Sequence, residues 1–364
     1  MDRIYMPELV RVKRAFKRPR VDDVEKSVAD EFARLSLGDA LRGAKVGVTV
    51  GSRGIRDILA ILRTLIRLIK SSGGEPVLLA AMGSHGAGSE EGQSGILTSL
   101  GVTEDALGAP IMTCAKSAEI GKTKDGGAAY ALESALSVDA IIVVNRVKVH
   151  TAFHGAVESG LFKMLAVGLG GPAGAVHFHG AGRESLPDIL LDIGSLMLKK
   201  LPVAAGFAIV ENAFEETALI KGVDASSMEE EERGLLEFSR SLMPSLPASR
   251  LDALIVEEMG KNYSGTGLDT NIIGRLRIEG VPEPPSPEIK RVAVLDLSAE
   301  SHGNANGVGL ADLATKKLVD SIDKRATFLN CATTGFFMRG AVPVHFDTER
   351  EVVEVMLKSL APKP

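Results

Sequence analysis

Short apolar runs rich in Val, Ile and Ala alternate along this chain with segments of helical periodicity, and that alternation restricts the fold more than any other feature. A helix between two strands returns the second strand parallel to the first, so the pattern predicts an α/β architecture with largely parallel sheets. Strands are expected at 45–50, 76–81, 140–145 and 204–210, each ending close to residues capable of chemistry. Open α/β sheets bind ligands beyond the carboxyl ends of their strands, so those ends are where a site is sought. After the first expected strand, Ile55, Ile58, Leu59, Leu62, Leu65, Ile66 and Ile69 form one stripe at helical spacing, the packing face of a core helix.

A chain of 364 residues exceeds one ordinary core, which predicts two domains. The Pro/Ser segment 243–249, following the acidic run 229–232, marks the boundary. Residues 1–245 are expected to form an amino-terminal catalytic and cofactor domain, with a carboxy-terminal helix, 348–364, packing back on it. Residues 250–347 are expected to form a second α/β domain closing over an active site in the cleft between the two. Strands at 253–257, 292–297 and 327–330, a helix at 310–322 and a Pro-rich loop at 281–287 complete that reading.

Hydrophobic residues make up 45% and charged residues 24%, with no uninterrupted apolar run of bilayer length, so no membrane partner is expected. Arg11, Lys13, Arg14, Lys17, Arg18 and Arg20 are followed at once by Asp22, Asp23 and Glu25, and the net charge is −5. That balance argues against a nucleic-acid arm or a transit peptide and for a solvated edge strand and helix. Cys114 and Cys331 stand far apart in no metal-ligand spacing, which fits a reducing cytoplasm.

Four of the seven histidines, His150, His154, His177 and His179, fall within the stretch from Asn145 to Gly180. Histidine transfers protons near neutral pH and ligates borderline-soft metals, so the clustering points to a site. His177 and His179 flank Phe178 and face the same way in a strand, whereas a loop turns only one inward. Lys163 lies in the apolar segment 161–167, where an ammonium is costly unless paired or chemically used; snorkelling to solvent is the alternative. Gly168, Gly170, Gly171 and Gly174 make a turn that lets backbone amides approach a ligand, without the spacing of a phosphate loop. His85, in GSHG after the second expected strand, is placed for acid/base work; Arg53, in GSRGI after the first, is placed to pair with a carboxylate or phosphate.

Taken together, GSRGI, GSHG, VKVHTAFHG, ESGLFKM and GLGGPAGAVHFH resemble the lactate racemase family of nickel-pincer-nucleotide enzymes, in particular its broad group of racemase-like homologues. The resemblance continues through EEMGKNYSGTGLDTNIIGR and ESHGNANGVGLADL and so covers most of the chain. It implies a nickel-pincer nucleotide, a pyridinium-derived mononucleotide holding nickel through one carbon and two sulfurs, tethered to a lysine as a thioamide. Lys163 matches that tether and His179 the nickel-ligating histidine, with His177 the second choice. His85 matches the first of two acid/base histidines. His150 matches the second by its preceding residues and is favoured, while His154 keeps the closer spacing to Lys163. Arg53 matches an arginine for the substrate or cofactor anion, and Ser52 and Gly170 join it and Lys163 as cofactor contacts. The family's aspartate three residues before that arginine is replaced here by Val50, which changes what the pocket accepts.

The implied activity is an isomerase, a racemase or epimerase inverting C2 of a 2-hydroxy acid, lactate-like or a sugar acid, by hydride transfer through a transient 2-keto acid. Lys261 and Asn262 are candidates for meeting the substrate, as is Arg339, and a homo-oligomer is an expected assembly. Two rivals stay open: a zinc-type metallohydrolase using the clustered histidines, and a non-catalytic homologue that binds a sugar acid or nucleotide.

Overall fold

The computed structural model describes residues 7–124, 126–180 and 185–360. The chain divides into two compact units, one spanning residues 16–243 and the other combining residues 7–15 with 244–360. Residues 7–15 are thus grouped with the carboxy-terminal unit rather than with the amino-terminal domain to which the sequence assigns them. Residues 1–6 of that expected domain and 361–364 of the expected last helix lie outside the described residues.

The larger unit is built on strands β1 (Lys45–Val50), β2 (Glu75–Ala80), β3 (Ile111–Met112), β4 (Ser117–Lys122), β5 (Ala128–Leu132), β6 (Ala140–Arg146), β7 (Val203–Glu211) and β8 (Thr217–Asp224). Six of them form one sheet in the order β3-β2-β1-β6-β7-β8, parallel except for the antiparallel pair β7–β8, while β4 and β5 make a separate hairpin. Both faces of the sheet are covered. Leu79, Ile141, Val143 and Val210 point into one core, and Leu78, Ile142, Val144 and Ile209 into the other. That two-sided burial explains why these strands read as continuous apolar runs. The expected core helix forms as Ile58–Ser71 and buries Ile61, Leu62, Leu65, Ile66 and Ile69 against the second face.

From β1 the sheet grows to β2 and β3 on one side and to β6 and β7 on the other. The crossover direction reverses between β1 and β6, and a crevice opens beyond the carboxyl ends of two such strands.

The second unit carries a four-stranded parallel sheet, β12-β11-β10-β9, from β9 (Arg250–Met259), β10 (Glu288–Leu297), β11 (Leu313–Thr315) and β12 (Val344–Phe346). Three expectations change here. Residues 327–330, expected as a strand, lie inside the helix Lys324–Thr334, whose Asp323 side chain accepts the Ala326 amide; a short apolar run has no period of its own, and the cap decides. The expected helix at 310–322 is divided into β11 and a helix, Lys316–Asp320, capped by Thr315. The terminal helix Glu349–Leu360 packs on its own unit's sheet, with Val352 and Met356 buried against Ala293 and Leu313, instead of returning to the amino-terminal domain.

The solvated edge strand expected near the basic segment is also not formed: residues 7–22 hold neither helix nor strand, and a helix, Val24–Leu35, follows. No single helix among the described residues is long and apolar enough to cross a membrane.

Candidate functional site

The strand ends next to the crevice bring chemistry together. The turn after β1 presents Ser52 and Arg53; the turn after β2 presents His85; β6 ends on Arg146 and β7 on Glu211. Ser52 Oγ lies 2.5 Å from His85 Nδ1, tying the first two turns to each other. Arg146 forms an ion pair with Glu211, whose other oxygen accepts the Arg56 amide at 2.9 Å. Burial lowers the pKa of Arg53 from its ordinary value, and the positive charge of Arg146 lowers it further. Arg53 nevertheless keeps solvent access, the combination expected of a cation crowded by protein but open to a ligand.

Lys163 reaches this neighbourhood from the loop after β6. It closes a single helical turn, Leu161–Lys163, and the chain then widens into a π-type turn, Met164–Gly168. Such turns concentrate at functional sites because one extra residue per turn re-aims the side chains beside it. Glycine lets this turn press on the end of β2: a Cβ on Gly168 would stand 2.9 Å from the Ala81 carbonyl oxygen. The Lys163 amine is pushed down to about 8, chiefly by burial and then by the Arg53 charge, with Glu158 opposing. A lysine this depressed holds a substantial fraction of free amine near neutral pH, the nucleophilic form.

The helix Gly171–Gly180 carries both His177 and His179. Residues two apart on a helix point to different sides, so the same-face arrangement open to a strand does not arise. His177 turns to the β4–β5 hairpin, where a Cβ on Gly127 would lie 2.1 Å from its Cε1, and its Nε2 is buried with no hydrogen-bond partner among the described residues. His179 lies instead within the field of Lys163. Burial first, and then that charge, push its pKa down to about 4, which keeps the imidazole neutral and its lone pair available to a metal. Gly170 sits buried where the π turn passes into this helix, and a Cβ there would meet the Ala166 carbonyl oxygen at 2.3 Å. Close packing accounts for that glycine.

His150 and His154 hang from one buried carboxylate. Glu158 accepts the His150 amide at 2.6 Å, the Gly155 amide at 3.3 Å and a bond from Arg240 at 3.1 Å, and it lies 3.2 Å from His154 Nδ1. His150 Nδ1 accepts the Ala152 amide at 3.1 Å, and its ring stacks on Phe153 at 4.1 Å between centroids. Phe153 meets Phe178 edge-on at 6.2 Å, and Phe178 meets His179 at 5.1 Å. A line of four rings therefore joins the His150 loop to the His179 helix. Among the described residues no three His, Cys, Asp or Glu side chains gather as a metal-binding group, so the clustered histidines do not supply the ligand set a zinc hydrolase needs.

Sequence reasoning passes over Arg146, Glu158, Glu211 and Glu232. Glu232, fully buried on the helix Met228–Leu242, accepts the Phe162 amide at 2.8 Å and so caps the turn that carries Lys163; burial pushes its carboxyl up to about 7. Helical phase is the signal that singles it out, since Met228, Glu232, Leu235, Ser239 and Leu242 recur on one buried face while Glu229, Glu230 and Glu231 do not all share it.

The remaining candidates belong to the other unit. Lys261 Nζ donates to the Gly265 carbonyl at 2.6 Å and to Asn330 Oδ1 at 2.9 Å, and Asn262 Oδ1 accepts from Ser298 Oγ at 2.6 Å. Both lie just past the carboxyl end of β9. Arg339 is 2% exposed and donates to the Leu276 carbonyl at 2.9 Å, the position of an internal brace.

No protein-family model matches the chain, and no curated protein matches it in sequence. In three dimensions it is similar to a structural-genomics protein from Thermotoga maritima, at 13% identity and a TM-score of 0.54, over 93% of this chain and 86% of that one. It is also similar to the lactate racemase apoprotein from Thermoanaerobacterium thermosaccharolyticum, at 11% identity and a TM-score of 0.52, over 93% of this chain and 85% of that one. The chain thus has the mixed α/β fold of a lactate racemase apoprotein over nearly its whole length.

Proposed function

We propose that this protein is a racemase or epimerase that inverts C2 of a 2-hydroxy acid and works with a nickel-pincer nucleotide. The observation that carries the reading is the meeting of Arg53, Lys163 and His179 in one electrostatic neighbourhood at the β1–β6 crevice. These residues fit the group. Lys163 offers a largely desolvated amine for the thioamide tether, His179 a neutral imidazole for nickel, and Arg53 a charge for an anion. When bound, the nucleotide supplies a reversible acceptor for the C2 hydrogen and its electron pair.

The chain's own residues do the rest. Arg53 holds the carboxylate and so fixes which face of C2 is presented. His85, tied to Ser52 through Nδ1, is assigned to take or return the hydroxyl proton. His150, held by Glu158 through its amide and by Ala152 through Nδ1, is assigned the same proton on the opposite face. Proton transfer of this kind is worth about a hundredfold to ten-thousandfold, so the residues assist a reaction whose main acceleration lies in the hydride acceptor. Lys261 and Asn262 are assigned to the substrate's distal groups, and the working compartment is the cytoplasm.

The test is co-production with the nucleotide's biosynthetic enzymes, followed by chiral chromatography of lactate, malate, aryl lactates and aldonic acids. One of them is expected to lose its configuration, and peptide mass spectrometry is expected to find the nucleotide on Lys163. If no 2-hydroxy acid racemises, the reading fails; if Lys163→Ala retains full activity, the tether assignment fails.

A further inference from the structure

Two features of the carboxy-terminal unit take no part in the proposed chemistry. One is the arm formed by residues 7–14. It carries no helix or strand, and Leu9, Val10 and Val12 are 95%, 84% and 68% exposed. The arm is anchored at one end, where Arg14 donates to Ser245 Oγ at 2.9 Å and to the Leu246 carbonyl. Three large apolar side chains in water forfeit most of the burial energy they could supply. Among the described residues nothing in the arm's own unit covers them.

The other feature is the edge of the four-stranded sheet. β9 is ten residues long and is the last strand of its sheet, and among the described residues no strand pairs with its outer side. A long edge with unpaired backbone groups is a template for a further strand, and proteins normally shorten or cover such edges. Here Ile255 stands exposed on it. At the carboxyl end of β9, Glu257 and Glu258 join Asp296 and Tyr263 around a recess of about 640 Å³.

The two surfaces are complementary. Val10, Arg11, Val12, Lys13 and Arg14 give the arm β-branched and cationic side chains, and β9 answers with Ile255 and the acidic pair. Eight extended residues span about 26 Å and ten about 33 Å, so the arm covers most of the edge. Residues 7–14 of the same molecule do not lie there, since Leu9, Val10 and Val12 are exposed and among the described residues no strand other than β10 pairs with β9.

We propose that the amino-terminal arm of one molecule adds as an extra strand along the free edge of β9 in a second copy of this chain, and reciprocally, giving an arm-exchanged dimer. Main-chain hydrogen bonds supply the adhesion, and the basic-on-acidic match sets the placement. The dimer does not depend on the proposed activity.

The test uses the full-length protein. Light scattering after gel filtration is expected to give twice the 38.4 kDa chain mass. The double variant Val10→Asp, Val12→Asp, altered only at exposed positions, is expected to dissociate at least tenfold more readily with unchanged circular dichroism. Two single variants, Val12→Cys and Ile255→Cys, are then mixed and oxidised. A disulfide-linked pair that neither forms alone supports the exchange, and the two native cysteines are buried and do not interfere. The proposal is overturned by a monomer at every concentration, or by a dimer that persists after residues 1–13 are removed. It is equally overturned if a chain carrying both cysteines closes the disulfide on itself, which would place the arm on its own edge.

Discussion

Replacing Arg53 by Gln tests whether the electrostatic neighbourhood of Lys163 is as described. The amine sits at about 8 against an ordinary value of 10.5, lowered first by burial and then by the Arg53 charge. At a pH of about 7.5, a group with pKa about 8 is roughly one quarter unprotonated, against about one part in a thousand for an ordinary lysine. Removing a nearby like charge raises a lysine pKa by about one unit, which cuts the free amine at that pH about eightfold. The assay is trace acetylation of the apoprotein across a pH series, with Lys163 quantified against an exposed lysine by peptide mass spectrometry. The wild type is expected to label with a midpoint near 8, and Arg53→Gln with a higher midpoint and slower labelling at neutral pH. Stability carries the same signature. Because the folded value lies below the unfolded one, the unfolded chain binds the extra proton between the two, and stability rises with pH across that window by up to about 3 kcal/mol. A midpoint at the ordinary lysine value, or one that Arg53→Gln leaves unmoved, would refute the reasoning.

Three further outcomes follow from buried groups in the same unit. Glu232, raised to about 7 from 4.5, binds more protons folded than unfolded, so its contribution is present at acid pH and is lost as pH rises through 7; Glu232→Gln is expected to flatten that decline, worth up to about 3 kcal/mol, in urea titrations at acid and alkaline pH. Gly160→Ala puts a Cβ 2.2 Å from Glu232 Oε1, and a loss of about 1–3 kcal/mol should appear as a lower urea midpoint, an unchanged midpoint counting against the packing described. Glu158→Ala strands the amides of His150 and Gly155 and the Arg240 guanidinium, and is expected to cost about 3 kcal/mol or more. Imidazole NMR of that apoprotein should also show the His154 ring released, and an unchanged His154 signal would contradict the Glu158 contact.

The parts of the fold that were legible in the sequence are those where one period dominates. β1 and β6 are buried on both faces and announce themselves as unbroken apolar runs, and the Ile58–Ser71 stripe could only be a core helix. Residues 327–330 were misread because four apolar and polar residues fit either state, and the Asp323 cap that decides between them lies outside the run. β8 and β12 were missed because half-exposed strands without strict alternation look like loops. For the site, GSRG and GSHG were readable because a chemical residue directly after a strand needs no tertiary knowledge to be placed. Arg146 was not, since its importance lies in its closeness to Arg53, and nothing in ninety residues of intervening chain reports that distance.

The line of rings from His150 through Phe153 and Phe178 to His179 has a mechanical consequence. Stiff, flat bodies in contact transmit rotation poorly damped by solvent, so a restraint placed on the last ring narrows the freedom of the first. A restraint placed on His179 is therefore expected to narrow the motion of His150, which ring relaxation measured by NMR with and without a metal on His179 would register.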